Sequence, residues 1–245
     1  MINPEPKKRS FLKTCLRFLT IASILCTTIA VTGAYLLYQT IASDLPDISQ
    51  LREVKLQVPL AVYSEDEQLI AQFGKKKRIP IPGNRIPKKL AEAFIAAEDH
   101  RFFSHPGIDY KGLIRAGVQL IRTGKKHQGG STITMQVARN FFLSPEKTYL
   151  RKIKEIILAL EIESQLSKQE ILSLYLNKIY LGHRAYGIGA AAQIYYGKTV
   201  DQLTIEESAM MAGLPKAPSR FNPVTNPERA LKRRNYILTR MHNLQ

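Results

Sequence analysis

Three short stretches of the chain gather the polar side chains that could do chemistry. In the first, Glu98 and Asp99 close the run KKLAEAFIAAED, and Phe102, Phe103 and His105 follow at once. At about 100° per helical residue the neighbours of Glu98 are Ala91, Phe94 and Ile95, so its carboxylate faces apolar company. Desolvation raises a carboxylate pKa toward the range where it accepts a proton near neutral pH, which is the setting of a general base. Taken alone, an acid at a helix end is more often a surface residue. The pattern gains meaning from Asp99 and the aromatic and imidazole groups beside it.

The second stretch, Gly129 to Asn140, reads GGSTITMQVARN. Ser131, Thr132, Gln136, Arg139 and Asn140 supply short hydrogen-bonding groups and a cation, suited to phosphate and sugar hydroxyls. The same residues would equally serve a capped helix start. In the third, Glu155 stands four residues after Arg151 and three after Lys152 at the border of an amphipathic helix. A helical ion pair of about 0.2–0.5 kcal/mol would account for that spacing too.

These stretches need elements to hold them. After Pro87 the apolar spacing is helical for most of what remains, which predicts a mainly α body. Ser144-Pro145, Ser167 with Glu170, and Thr204 with Glu207 mark three helix starts. Ile153, Ile156, Ile157 and Leu160 are expected to share an apolar face, as are Ile171, Leu174, Tyr175 and, approximately, Leu181. The run RTGKKHQGG, from Arg122 to Gly130, has no apolar residue and reads as a loop. Upstream, Ala61 to Ser64 and Gln68 to Phe73 flank the acidic turn Glu65-Asp66-Glu67 and predict a β-hairpin. Residues 44–59, with Pro46 and Pro59, read as a connector.

At the N-terminus, no residue from Phe18 to Ser43 is charged. About 20 helical residues cross a hydrocarbon core of roughly 30 Å, so this segment is long enough to span. It is also longer than the apolar region of a cleaved signal peptide. Lys7, Lys8, Arg9, Lys13 and Arg17 precede it, and Asp44 and Asp47 follow, which places residues 1–17 in the cytoplasm and the rest outside. Of the 245 residues, 36 are Lys or Arg and 20 are Asp or Glu, for a net charge of +16. Without the five cations and Glu5 of residues 1–43, the remainder keeps 31 cations against 19 acids. A basic body tethered outside a membrane points to anionic head groups or a phosphorylated lipid substrate, and away from nucleic acid.

Other signals fail their context. Gly187-Ile188-Gly189 opens a dinucleotide-like pattern without a preceding strand, and its small residues more simply let a helix pack closely. The two cysteines, Cys15 and Cys26, lie in or before the apolar segment, and the five histidines show no paired zinc spacing.

Taken together in order, these segments resemble the glycosyltransferase domain of class A penicillin-binding proteins. Glu98 to Gly107 (EDHRFFSHPG) looks like its first motif. Gly130 to Asn140 is similar to the second, Arg151 to Glu155 (RKIKE) to the third, Ile171 to Gly197 to the fourth, and Glu206 to Pro218 to the fifth. The resemblance covers roughly residues 60–240. Met135 departs from it, standing where the family has the first glutamine of a pair.

That resemblance implies a lysozyme-like helical domain over 60–240 after a single-pass signal anchor (18–43) and a short hairpin. It implies an enzyme of the cytoplasmic membrane, its catalytic domain on the outer face, that polymerises lipid II onto a glycan carried by undecaprenyl pyrophosphate. By the same resemblance Glu98 is the base, and Glu155 is a second catalytic acid that orients cations or a divalent metal, Mg2+ or Mn2+. No organic cofactor is implied. Arg139, Arg151 and Lys152 would offset the pyrophosphate; Ser131, Thr132, Gln136 and Asn140 would hold phosphate and sugar. Arg115 would add a donor-site cation, and Asp99, Phe102 and His105 would complete and brace the substrate site. Other cell-wall proteins are possible partners. The family usually continues into a transpeptidase domain, and residues 241–245 are not followed by one here, so the expectation is a fragment of a bifunctional parent or a monofunctional enzyme. A lytic enzyme and a non-catalytic scaffold are the alternatives.

Overall fold

A computed structural model describes residues 7–52, 54, 56–66, 68–74, 76–124, 130–146 and 148–244. It divides into two compact units, residues 1–46 and 47–245. The first is one helix, α1 (Lys7–Ala42). Its segment Leu16–Ile41 is the one helix among the described residues long and apolar enough to cross a membrane. Thr20, Thr27, Thr28 and Thr40 return their hydroxyl protons to carbonyls one turn back, so their polar groups need no outside partner.

The second unit begins earlier than the sequence suggests. Residues 44–59 are not all connector: a 3-10 turn, Ile48–Leu51, is capped by Asp47 and buries Ile48 and Leu51. Arg52 donates to the Gln165 carbonyl at 2.6 Å, tying the turn to the end of a later helix. The hairpin forms as expected, β1 (Leu60–Tyr63) pairing antiparallel with β2 (Leu69–Phe73), with an irregularity between Val62 and Tyr63. Of the turn residues singled out in the sequence, Glu67 lies outside the described ones.

The rest is helical: α2 (Lys88–Glu98), α3 (Tyr110–Thr123), α4 (Ile133–Phe142), α5 (Tyr149–Gln165), α6 (Lys168–Lys178), α7 (Ile188–Tyr196), α8 (Ile205–Gly213) and α9 (Pro227–Asn243). Helix α2 packs on α8 and α9, while α4 packs on α5 and α6. The two groups meet through Phe94 of α2 and Tyr175 of α6, whose rings touch edge to face. Both capping boxes are present, with Ser167 and Glu170 starting α6 and Thr204 and Glu207 starting α8. In the glycine-rich segment, close packing explains the small residues. A Cβ on Gly189 would lie 2.3 Å from the Ile79 carbonyl oxygen, so α7 sits directly against the extended chain before α2.

Three expectations need correction or limitation. Helix α5 starts at Tyr149, not at Pro145, because Thr148 caps it by accepting the Arg151 amide at 3.1 Å, and the apolar pattern begins only there. Its buried face is Glu155, Leu158, Ala159 and Ile162, whereas Ile153 and Leu160 stay exposed. Apolar residues lie on both sides of α5, and contact with α4 selects the side that carries the small Ala159. Of the RTGKKHQGG loop, Arg122 and Thr123 end α3 and Gly124 has φ +63°, while residues 125–129 lie outside the described ones.

Candidate active site

Helix α2 delivers Glu98 as its last residue, and the chain then leaves the helix through Asp99. The carboxylate of Asp99 is buried and takes two donors: His105 Nε2 at 2.9 Å and the Ile133 amide at 3.1 Å. That amide belongs to the first turn of α4, where free N–H groups favour a negative charge. Thr132 caps the same helix by accepting the Met135 amide at 3.1 Å, and donates its own proton to the Gly107 carbonyl at 2.6 Å. Gly107 has φ +85°, and a Cβ there would stand 2.7 Å from the Ala159 carbonyl oxygen. So α4 is locked to the 99–107 loop, which sets Gln136 opposite Glu98.

Gln136 Nε2 donates to Glu98 Oε2 at 2.9 Å. Met135 beside it is fully buried and turned away, so the methionine for glutamine difference falls in the core. Burial pushes the Glu98 carboxyl above the ordinary carboxylate range. The Gln136 hydrogen bond and the charges of Arg233, Lys216 and Arg139 pull the other way without cancelling it.

Glu98 opens on a cavity of about 360 Å³ between the two helix groups. One wall carries Ser131 and Thr132 just before α4 with Gln136 and Arg139 on it, and another carries Arg115 of α3. The facing wall was not foreseen: Lys216 after α8, and Arg233, Tyr236 and Arg240 on α9. The two arginines flank Tyr236, with guanidinium carbons 5.1 and 5.8 Å from the ring centre. Arg240 Nε also donates to the Ala96 carbonyl at 2.7 Å, satisfying an open end of α2. Their spacing of three, four and seven, along the edge of the face that buries Ala230, Ile237 and Met241, was a readable signal. A basic stripe on a terminal helix looks like a solvated face until its neighbour is known.

A second cavity, of about 410 Å³, shares His100, Arg115 and Arg240 with the first. Acids do not balance this wall. Asp99 is engaged by His105, and Asp109 holds Arg101 at 2.6 Å while accepting the Gly112 amide. Glu98 is therefore the lining carboxylate with no cation in an ion pair.

Several expected residues do not reach the cavity. Phe102 is fully buried, packed edge-on against Phe103 and His105, with Lys168 Nζ 4.5 Å from its ring centre. It and His105 brace the loop from behind, and Asn140 points elsewhere on α4. Glu155 is buried on α5, not at its border: its side chain is 1% exposed and holds Arg151 Nη1 and Lys152 Nζ. Lys152 in turn donates to Ser131 Oγ at 2.8 Å, so Glu155 acts on the cavity wall through that lysine. With both oxygens facing cations, Glu155 does not fit a resident divalent metal. Among the described residues no three His, Cys, Asp or Glu side chains gather.

The model of the Transglycosylase family matches residues 66–242. The chain is 54% identical over 225 residues to penicillin-binding protein 1A of Escherichia coli, covering 92% of this chain and 26% of that protein. It is 55% identical to penicillin-binding protein 1A of Vibrio cholerae, covering 91% and 27%. A crystal structure of penicillin-binding protein 1A from Haemophilus influenzae aligns at 32% identity and a TM-score of 0.41, over 77% of this chain and 18% of that one. The chain thus spans about a quarter of the length of the curated relatives it matches. With the family model covering most of its length, the chain belongs to the transglycosylase family and carries the glycosyltransferase domain of class A penicillin-binding proteins.

Proposed function

We propose that the chain is a peptidoglycan glycosyltransferase that extends a glycan strand from lipid II at the outer face of the cytoplasmic membrane. The observation that carries this reading is the half-buried Glu98, its pKa raised by burial, in a cavity that it shares with Arg115, Arg139, Lys216, Arg233 and Arg240. A base of that kind takes the proton from the acceptor sugar hydroxyl as its oxygen attacks the anomeric carbon of the donor. The bond to the lipid pyrophosphate breaks on the opposite side, so the configuration inverts in a single displacement. Gln136 keeps the carboxylate aimed at the cavity.

The leaving pyrophosphate needs charge stabilisation more than a proton, and preorganised cations supply it without reorganisation. Arg139 and Arg115 stand on the cavity wall, and Lys152 is held behind Ser131 by Glu155. Donor and acceptor both carry a lipid pyrophosphate, and the cations Arg115 and Arg240, common to the two adjoining cavities, suit a pair of such anions. On α3, Tyr110, Ile114, Val118 and Ile121 are exposed, an apolar strip suited to prenyl chains or the bilayer surface. Helix α1 serves as the membrane anchor, its N-terminal cations on the cytoplasmic side.

The test is incubation of the detergent-solubilised chain with labelled lipid II, with separation of products by length. Long lysozyme-sensitive strands that disappear with Glu98→Gln are expected. Wild-type rates in that variant would remove Glu98 from the base role, and shortening of added glycan would show a lytic enzyme instead.

A further inference from the structure

Tyr175, on α6, is the largest of the side chains buried completely, and its hydroxyl finds no hydrogen-bond partner among the described residues. Its ring lies edge-on to Phe94, one helical turn before Glu98. The charged groups around its hydroxyl are Glu98, Arg139 and Asp99. A phenol here stays protonated, because burial and the neighbouring Glu98 push its pKa well up, with Arg139 opposing. It is therefore a permanent donor buried in the core, and the Glu98 charge that acts on it belongs to a carboxylate whose lone pairs are only partly used. Gln136 occupies one oxygen of Glu98, and a carboxylate has room for several donors. An unmade hydrogen bond at a buried group is costly, so the hydroxyl calls for an acceptor in a working state of the site.

We infer that Tyr175 is a positioning residue for the base: its hydroxyl donates to the Glu98 carboxylate, directly or through one bound water, and holds it ionised and aimed at the acceptor hydroxyl. This rests on the proposed role of Glu98. The other groups facing Glu98 are Gln136 and Arg139 from α4, Lys216 after α8, Arg233 and Arg240 on α9, and Asp99 and His100 at the end of α2. Each of them is unchanged by Tyr175→Phe, which removes one oxygen and keeps the ring.

A donor to the charged form lowers a carboxylate pKa, so losing it raises that pKa. In Tyr175→Phe the acid limb of kcat/KM should move up by roughly half to one pH unit, a loss of about three- to tenfold on its acid side. The Glu98 pKa should also be read by carboxyl 13C NMR of the full chain, the resonance being assigned by its loss in Glu98→Gln. That titration does not depend on turnover, so a wild-type chain that makes no glycan would refute the glycosyltransferase while leaving Tyr175 testable. A rise in the Glu98 pKa supports the inference. An unchanged or lower pKa in Tyr175→Phe, with a raised melting temperature, overturns it and marks the hydroxyl as a plain unsatisfied group. Should Tyr175→Phe not fold, 3-fluorotyrosine at 175, a stronger donor, should lower the Glu98 pKa, and no change there overturns the inference as well.

Discussion

Replacing Glu155 by glutamine separates a clamp from a reacting group. Its side chain is 1% exposed, against 16% for Arg151 and 36% for Lys152. The amide would accept from one cation, but its NH2 would face the other, leaving a charge without a partner. Breaking a fully buried ion pair costs about 3–5 kcal/mol. Here both cations can turn partly to water, which discounts the loss to about 2 kcal/mol. For a domain of this size that is a fall of about 4–8 °C in melting temperature. Near-UV circular dichroism of the full chain in detergent would report it through its 11 tyrosines, since there is no tryptophan to dominate the signal. Turnover should fall as well, because Lys152 would no longer be fixed behind Ser131. A melting temperature within about 1 °C of wild type, with turnover lost, would refute the clamp and make Glu155 a group that meets substrate itself.

Three further outcomes follow from the geometry. The folded-state pKa of Glu98 is raised, so its contribution to stability is fully present below the unfolded carboxylate pKa and is lost as pH rises through the folded value. Glu98→Gln should therefore melt higher than wild type at neutral pH, with the gap closing in acid; equal melting temperatures at both ends would contradict the desolvated base. Thr132→Val removes the α4 cap and leaves the Gly107 carbonyl without its donor. It should cost about 2–4 kcal/mol in denaturant titration, and a loss below about 0.5 kcal/mol would mean that the loop holds α4 without it. Arg240→Gln takes a cation from both cavities and should raise KM for lipid II more than it lowers kcat; steady-state kinetics showing the reverse would place Arg240 at the reacting bond.

The polar residues on the α2 and α4 side of the cavity were legible as types and spacings. Glu98 among apolar helical neighbours is a local property, since three residues of one helix settle which way its carboxylate points. The capping boxes of α6 and α8 are local too, each made within four residues. So is the N-terminal helix long and apolar enough to cross a membrane, which follows from the uncharged run after Arg17. Side choice on α5 was different. Both of its faces carry apolar residues, and periodicity cannot rank them when the partner is unknown, so the exposed face of Ile153 and Leu160 looked like the buried one. Glu155 was misplaced for the same reason: the spacing puts it at the border of an amphipathic helix, and only the packing of α5 on α4 buries it, linked to Ser131 through Lys152.

What tertiary structure alone decided is the second wall. Arg233, Tyr236 and Arg240 lie more than a hundred residues from Glu98 in the chain, and on their own they form an unremarkable basic face of a terminal helix. They become part of a cleft because α9 packs beside α2, where Arg240 completes the open end of the helix that carries Glu98. Sequence determined the setting of Glu98, the donors of α4 and the apolar N-terminal helix, because those depend on neighbours within a turn or two. The charge that faces Glu98 depends on which helices touch, and that is set by the fit of whole apolar faces over long separations.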